Sequence, residues 1–178
     1  MVNKKSCAIV GPLPLRFAWG FDEEDDVCAI FKRVLLQHIQ RSHSEGISDF
    51  LVACDPGVGL WSAEIINLLR EKAFDMRLYC HTPHEGQATK WPPYLRERYF
   101  TMLEKCTYIT VEHTEAVPSA QADAFRTIIH NSDMTLAVYD EKTFERDAVH
   151  AALEQIYSDK KPSFLIHPDT FEATSIFV

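Results

Sequence analysis

Six short apolar runs alternate with segments whose apolar residues recur at helical spacing, and that alternation leaves few architectures open. The runs are Cys7–Val10, Asp49–Cys54, Met76–Cys80, Tyr108–Val111, Met134–Tyr139 and Ser163–Ile166. Between them, Val27, Ile30, Phe31, Val34, Leu35 and Ile39 mark one helical face, and Trp61, Ile65, Leu68 and Leu69 a second. Leu95, Tyr99, Met102 and Leu103 mark a third; Phe125, Ile128 and Ile129 a fourth; Val149, Ala152, Leu153, Ile156 and Tyr157 a fifth. Strand followed by helix throughout predicts βαβ units with right-handed crossovers. The expected fold is therefore a doubly wound α/β domain, a mostly parallel sheet of five to six strands with helices on both faces. At 178 residues, 46% of them hydrophobic, the chain predicts a single domain over residues 1–178.

Ligands in such sheets bind beyond the carboxyl ends of the strands. The polar and glycine-bearing stretches fall there: Gly11 to Arg16 after the first run, Asp55 to Trp61 after the second, Thr82 to Trp91 after the third, then His113 and Tyr139. The densest is Asp55-Pro56-Gly57-Val58-Gly59-Leu60-Trp61-Ser62-Ala63-Glu64. A strand, a glycine turn and a helix start present unpaired N–H groups and a positive dipole end to an anion. The competing reading is a loop whose glycines permit positive φ and close packing. Arg16 suits bidentate contact with a phosphate. Trp91 either stacks on a base or packs on the sheet edge, and Tyr139 either lines the pocket or belongs to the core.

The formal net charge of −8, without a Lys or Arg run, argues against a nucleic-acid backbone as partner and for a small nucleotide-like ligand. Five cysteines with no CxxC pair read as small buried thiols of a cytoplasmic protein. No apolar run is long enough to span a membrane, and no long apolar core follows Lys4-Lys5. The acidic run Asp22 to Asp26 suits a solvated helix start. His81, His84 and His113 lack metal-ligand spacing, so no metal is expected, and His84 and His113 read instead as ligand donors. Hydrolysis of an N-glycosidic bond would need a carboxylate near the ribose, for which Glu64 and Asp55 are the candidates; Glu64 could equally be a capping acid. Nothing in the sequence fixes the oligomeric state, and a homo-oligomer stays open.

Taken in order, Gly-Pro-(x)3-Arg, Pro-Gly-Val-Gly-Leu-Trp-Ser-Ala-Glu, His-Thr-Pro-His-Glu, Trp91, Arg98-Tyr99 and Asn-Ser-Asp-(x)5-Tyr-Asp resemble the YpsA-like branch of the SLOG superfamily over about residues 7–166. The resemblance implies a Rossmann-like domain that binds a nucleotide or a nucleotide derivative, ADP-ribose-like compounds included, with Gly57, Trp61 and Glu64 matching the motif after the second strand. It also makes Asp133 a site residue. YpsA-like proteins are mostly bacterial and linked to cell division and stress responses; LOG relatives are phosphoribohydrolases, which would make Glu64 catalytic. An interaction protein with a vestigial pocket is the third implied reading. Related sequences often carry Ser-Gly where this chain has Cys54-Asp55, and an acid where it has Gly59. The LOG signature Pro-Gly-Gly-x-Gly-Thr-x-x-Glu is absent from this sequence.

Overall fold

The computed structural model describes residues 4–140 and 147–178. In chain order the elements are β1 (Lys5–Val10), α1 (Asp26–Ser44), β2 (Ile47–Val52), α2 (Val58–Arg70), β3 (Arg77–His84), α3 (Pro93–Lys105), β4 (Tyr108–His113), α4 (Ala120–His130), β5 (Met134–Val138), α5 (Ala148–Asp159), β6 (Ser163–Ile166) and β7 (Ala173–Ile176), with a short 3-10 turn at Pro14–Arg16. The sheet order is β4-β3-β2-β1-β5-β6-β7. Every pairing is parallel except β6 with β7. The expected doubly wound, Rossmann-like α/β fold is what the chain adopts. The seventh strand lies in a stretch that reads as a tail, because Ala-Thr-Ser-Ile carries little apolar signal.

Two cores sandwich the sheet. α1, α2 and α3 bury Phe31, Leu35, Trp61, Ile66, Leu95 and Met102 against Cys7, Ile9, Phe50, Leu78 and Cys80. On the other face α4 and α5 bury Phe125, Ile128, Ile129, Val149 and Ile156 against Ala8, Val10 and Ala137. Alternating strand residues feed the two cores, as period-two geometry requires. Four thiols, Cys7, Cys28, Cys54 and Cys80, are fully buried, and Cys106 is partly exposed. All five are free.

Local chemistry sets the helix ends. The Asp25 carboxylate accepts from Val27 N at 2.7 Å and caps α1, as the acidic run predicts. Gly46, with φ near +101°, follows its last turn. Two helices are rotated from the expected phase. Val27 and Ile30 are half exposed while Cys28 and Phe31 point inward, and Leu68 is 65% exposed while Ile66 is buried. α2 has so many apolar residues in its first half that spacing alone does not define its buried stripe.

Candidate functional site

In the sheet order, the neighbours of β1 are β2 and β5, so the direction of winding reverses at β1. Loops leaving β1 and β5 diverge to opposite faces there and open a crevice. Two adjoining hollows occupy this region. One, of about 510 Å³, is walled by Gly11, Pro12 and Leu13 after β1, by Gln121 and Phe125 of α4, and by Asp147, Ala148 and Val149 at the start of α5. The other, of about 430 Å³, runs outward past Pro56, Pro83, His84, Gln87, Lys90 and Trp91 to Phe21 and Val117. Leu13, Asp55 and Gln121 line both.

Asp55 forms the floor where the hollows meet. It follows β2, is only 3% exposed, and its Oδ1 has no hydrogen-bond partner among the described residues. Gln121 Nε2 is likewise buried and unsatisfied. Burial pushes the Asp55 carboxyl up to about 7; its own backbone N–H and, less, the Gln121 amide only partly offset the rise, to which Asp147 adds. Near neutral pH this group is therefore poised to donate or to accept a hydrogen bond. Two helix N-termini converge beside it. Asp147 caps α5 by accepting from Val149 N at 2.9 Å, whereas the Ser119 hydroxyl before α4 turns to Asp123 at 2.7 Å and leaves the α4 N-terminus without a side-chain cap.

The glycines of the turn close the structure beneath this floor. Gly57 has φ near +89°, and a Cβ there would sit 2.7 Å from the Pro12 carbonyl oxygen. A Cβ on Gly11 would meet Val58 at 2.6 Å, and one on Gly59 would meet Asp55 Oδ1 at 2.4 Å. The loops after β1 and β2 are thus locked together over the start of α2, whose residues Val58, Gly59 and Leu60 are buried. Asp55 and Pro56, not Gly57 and Gly59, face the cleft.

A second polar cluster lies between α1, α2 and α3. Arg98 donates to both oxygens of Glu64 at 2.9 and 2.8 Å and to both oxygens of Glu23 at 2.7 and 3.2 Å. Glu23 also takes the Trp61 indole N–H at 3.0 Å and pairs with Lys32. Burial alone would raise the Glu23 carboxyl, but the donors Arg98, Lys32 and Trp61 outweigh it and hold it down at about 2.

With this geometry in view, comparison with known proteins is decisive about kinship. The model of the YpsA family, described as the YspA SLOG family, matches residues 7–171. The chain belongs to this SLOG family. UPF0398 proteins from Staphylococcus aureus strains JH9, JH1 and Mu3 are each 26% identical over 153 residues, covering 83% of this chain and 79% of theirs. Among solved structures, DNA processing protein A from Helicobacter pylori, described for its single-stranded DNA binding mode, superposes with a TM-score of 0.58 at 14% identity. That match covers 90% of this chain and spans only 64% of the Helicobacter protein, so it speaks for the fold.

In this SLOG domain the residues singled out by sequence are divided among several places. Gly11, Asp55 and Trp91 line the cleft, the last packed edge-on against Tyr99. Thr82 is buried under the cleft wall, with its hydroxyl 3.4 Å from the Thr110 carbonyl oxygen. Trp61 is 2% exposed inside the aromatic core formed with Phe17, Trp19 and Phe31. Glu64 lines a groove between α2 and α3, paired with Arg98. Asp133 precedes β5, at the opposite end of the sheet, where Ser6 donates to it from both N and Oγ. His113 pairs with Asp123 at 2.8 Å, and His81 with Thr110 and Glu112 on the sheet surface. Tyr139 and Asp140 border another hollow, with His167, and Arg16 bridges Asp140 and Asp169. Asp140, His167 and Asp169 are the one grouping with metal-ligand spacing among the described residues, and the Arg16 guanidinium already lies against both carboxylates. Sequence reading missed Gln121 and Asp147. Helix-opening residues far apart in the chain, they are brought to the cleft only by the crossovers of α4 and α5. No helix among the described residues is long and apolar enough to cross a membrane.

Proposed function

We propose that the cleft at the β1/β5 crossing binds a nucleotide or a nucleotide derivative such as an ADP-ribose-like compound, and that the protein senses this ligand rather than turning it over. The observation that carries this reading is the buried Asp55 carboxyl, which lines both hollows together with the Gln121 amide of α4. A carboxyl and an amide converging on an otherwise apolar cleft wall are the kind of few, placed polar groups by which a pocket orients a ligand. Ribose hydroxyls, which donate and accept, suit an amide and a half-ionised carboxyl. Lys90 and His84 stand in the outer hollow for phosphate, and Phe21 and Trp91 offer apolar surface to a base.

Hydrolysis through Glu64 has less support, because Glu64 is held by Arg98 and does not line this cleft. A single-stranded nucleic acid, the ligand for which the Helicobacter fold relative is described, would have to meet a chain of net charge −8. A thermal-shift series with ADP-ribose, AMP, NAD and a single-stranded oligonucleotide separates these readings. A ligand at 100 times its dissociation constant adds about 2.7 kcal/mol. The expected result is a rise in Tm with at least one mononucleotide-sized compound, abolished by Asp55→Ala, with no base released on incubation. No shift with any phosphate compound overturns the proposal, and base release lost in Glu64→Gln favours the hydrolase.

A further inference from the structure

The sheet ends at β4, which pairs only with β3 among the described residues and leaves its outer row of N–H and C=O groups open. Natural edge strands are usually blunted by lysine, proline, a bulge or extreme shortness. β4, Tyr108-Ile109-Thr110-Val111-Glu112-His113, carries a single carboxylate and otherwise β-branched and aromatic side chains, with no lysine or proline. Ile109 pairs with the buried Cys80 and Val111 with the buried Thr82, so both stand on the α1–α3 face of the sheet. Yet Ile109 is 52% and Val111 39% exposed. α3 reaches β3, with Met102 Sδ 3.5 Å from Cys80 Sγ, and stops short of covering the edge.

We infer that β4 is the contact through which two copies of this chain associate, by antiparallel pairing across a two-fold axis perpendicular to the sheet. Residues directly opposite in an antiparallel ladder point to the same face. A two-fold axis therefore has to pass through a residue, and the choice of residue fixes the register. With Thr110 on the axis, Ile109 of each copy faces Val111 of the other, so all four half-exposed apolar side chains are buried together. Tyr108 then faces Glu112, a phenol opposite a carboxylate, and like charges never meet. Centring on Glu112 would set two carboxylates against each other, centring on Val111 would put Ile109 opposite His113, and centring on Ile109 would put Val111 opposite the polar Thr107. A second copy is thus matched in shape, polarity and charge by one register. A six-residue ladder falls below the area of about 1,200 Å² typical of permanent interfaces, so the dimer is a dissociable one.

Sedimentation velocity on the full chain over a concentration series is expected to show the 20.4 kDa chain doubling in mass as concentration rises. Val111→Lys, which adds a charge opposite Ile109 in both halves, should weaken association roughly tenfold or more with an unchanged circular dichroism spectrum. Should that variant misfold, oxidative cross-linking gives an independent reading. In a Cys106→Ser background, Tyr108→Cys mixed with Glu112→Cys should form a disulfide-linked heterodimer, while Tyr108→Cys alone should not cross-link to itself. A chain that stays monomeric at every concentration overturns the inference. So does a dimer indifferent to Val111→Lys, or one whose cross-links fail to follow the Thr110-centred register.

Discussion

Asp55 owes its environment to Gly59. The carboxyl folds back over the first turn of α2, and its Oδ1 fills the space that a side chain at position 59 would need. The Asp55 carboxyl and a side chain at position 59 thus compete for one space, which the glycine leaves to the carboxyl. Gly59→Ala alone should destabilise the protein by about 1–3 kcal/mol, the usual range for overpacking. In an Asp55→Gly background the same change should cost much less, because the atom it collides with is gone. Urea titrations of the four proteins in the double-mutant cycle measure the coupling, and additive losses would refute the arrangement. That a carboxyl returns from four residues earlier depends on the backbone path at Gly57, with φ near +89°, which composition does not reveal.

At the level of elements, α1, α2 and α3 are pinned to one another by the Glu23, Arg98 and Glu64 cluster as much as by apolar packing. Glu23 belongs to the acidic run that the sequence assigns wholly to solvent; Asp25 behaves that way, but the half-buried Glu23 carboxylate is enclosed by three donors. Periodicity could not signal this, since Arg98 is 75 residues away. The pH consequence has a definite sign. Glu23 is held near 2 in the folded protein against 4.5 as the reference, so its contribution is complete above about pH 4.5 and is lost as pH falls toward 2. Its size at neutral pH is roughly 2–3 kcal/mol. Glu23→Gln should be less stable than the parent at pH 7 by about that amount and should match it near pH 2, as read from chemical denaturation at each pH. A constant gap across that range would remove the cluster from this role. Helix phase was the weaker part of the reading: Val27, Ile30 and Leu68 look like core residues by spacing and lie outside, because neighbouring apolar positions compete for the same stripe.

For the whole molecule, the alternation of apolar runs and amphipathic segments was enough to foretell the parallel sheet, both helical layers and the strand ends as the site of polar loops. The sheet order was not legible, and with it went the cleft, whose Gln121 and Asp147 walls come from helices on the far side of the β1/β5 crossing. The same burial that builds the two cores has a practical consequence for the thiols. Four of them are sealed at 0% exposure, Cys7 on β1, Cys28 on α1, Cys80 on β3 and Cys54 in the loop after β2, and one, Cys106, is partly exposed. All four belong to the core on the α1–α3 face, so they time the opening of that face. An aromatic disulfide reagent should react first with one thiol per chain, slowed by the raised pKa of the Cys106 thiol beside Cys80, and with the remaining four only at the rate, or to the extent, that the domain unfolds. Mass spectrometry of the partly labelled protein should then show chains bearing one label or five with few in between, whereas a ladder of two, three and four labels would reveal that the α1–α3 core opens piecemeal.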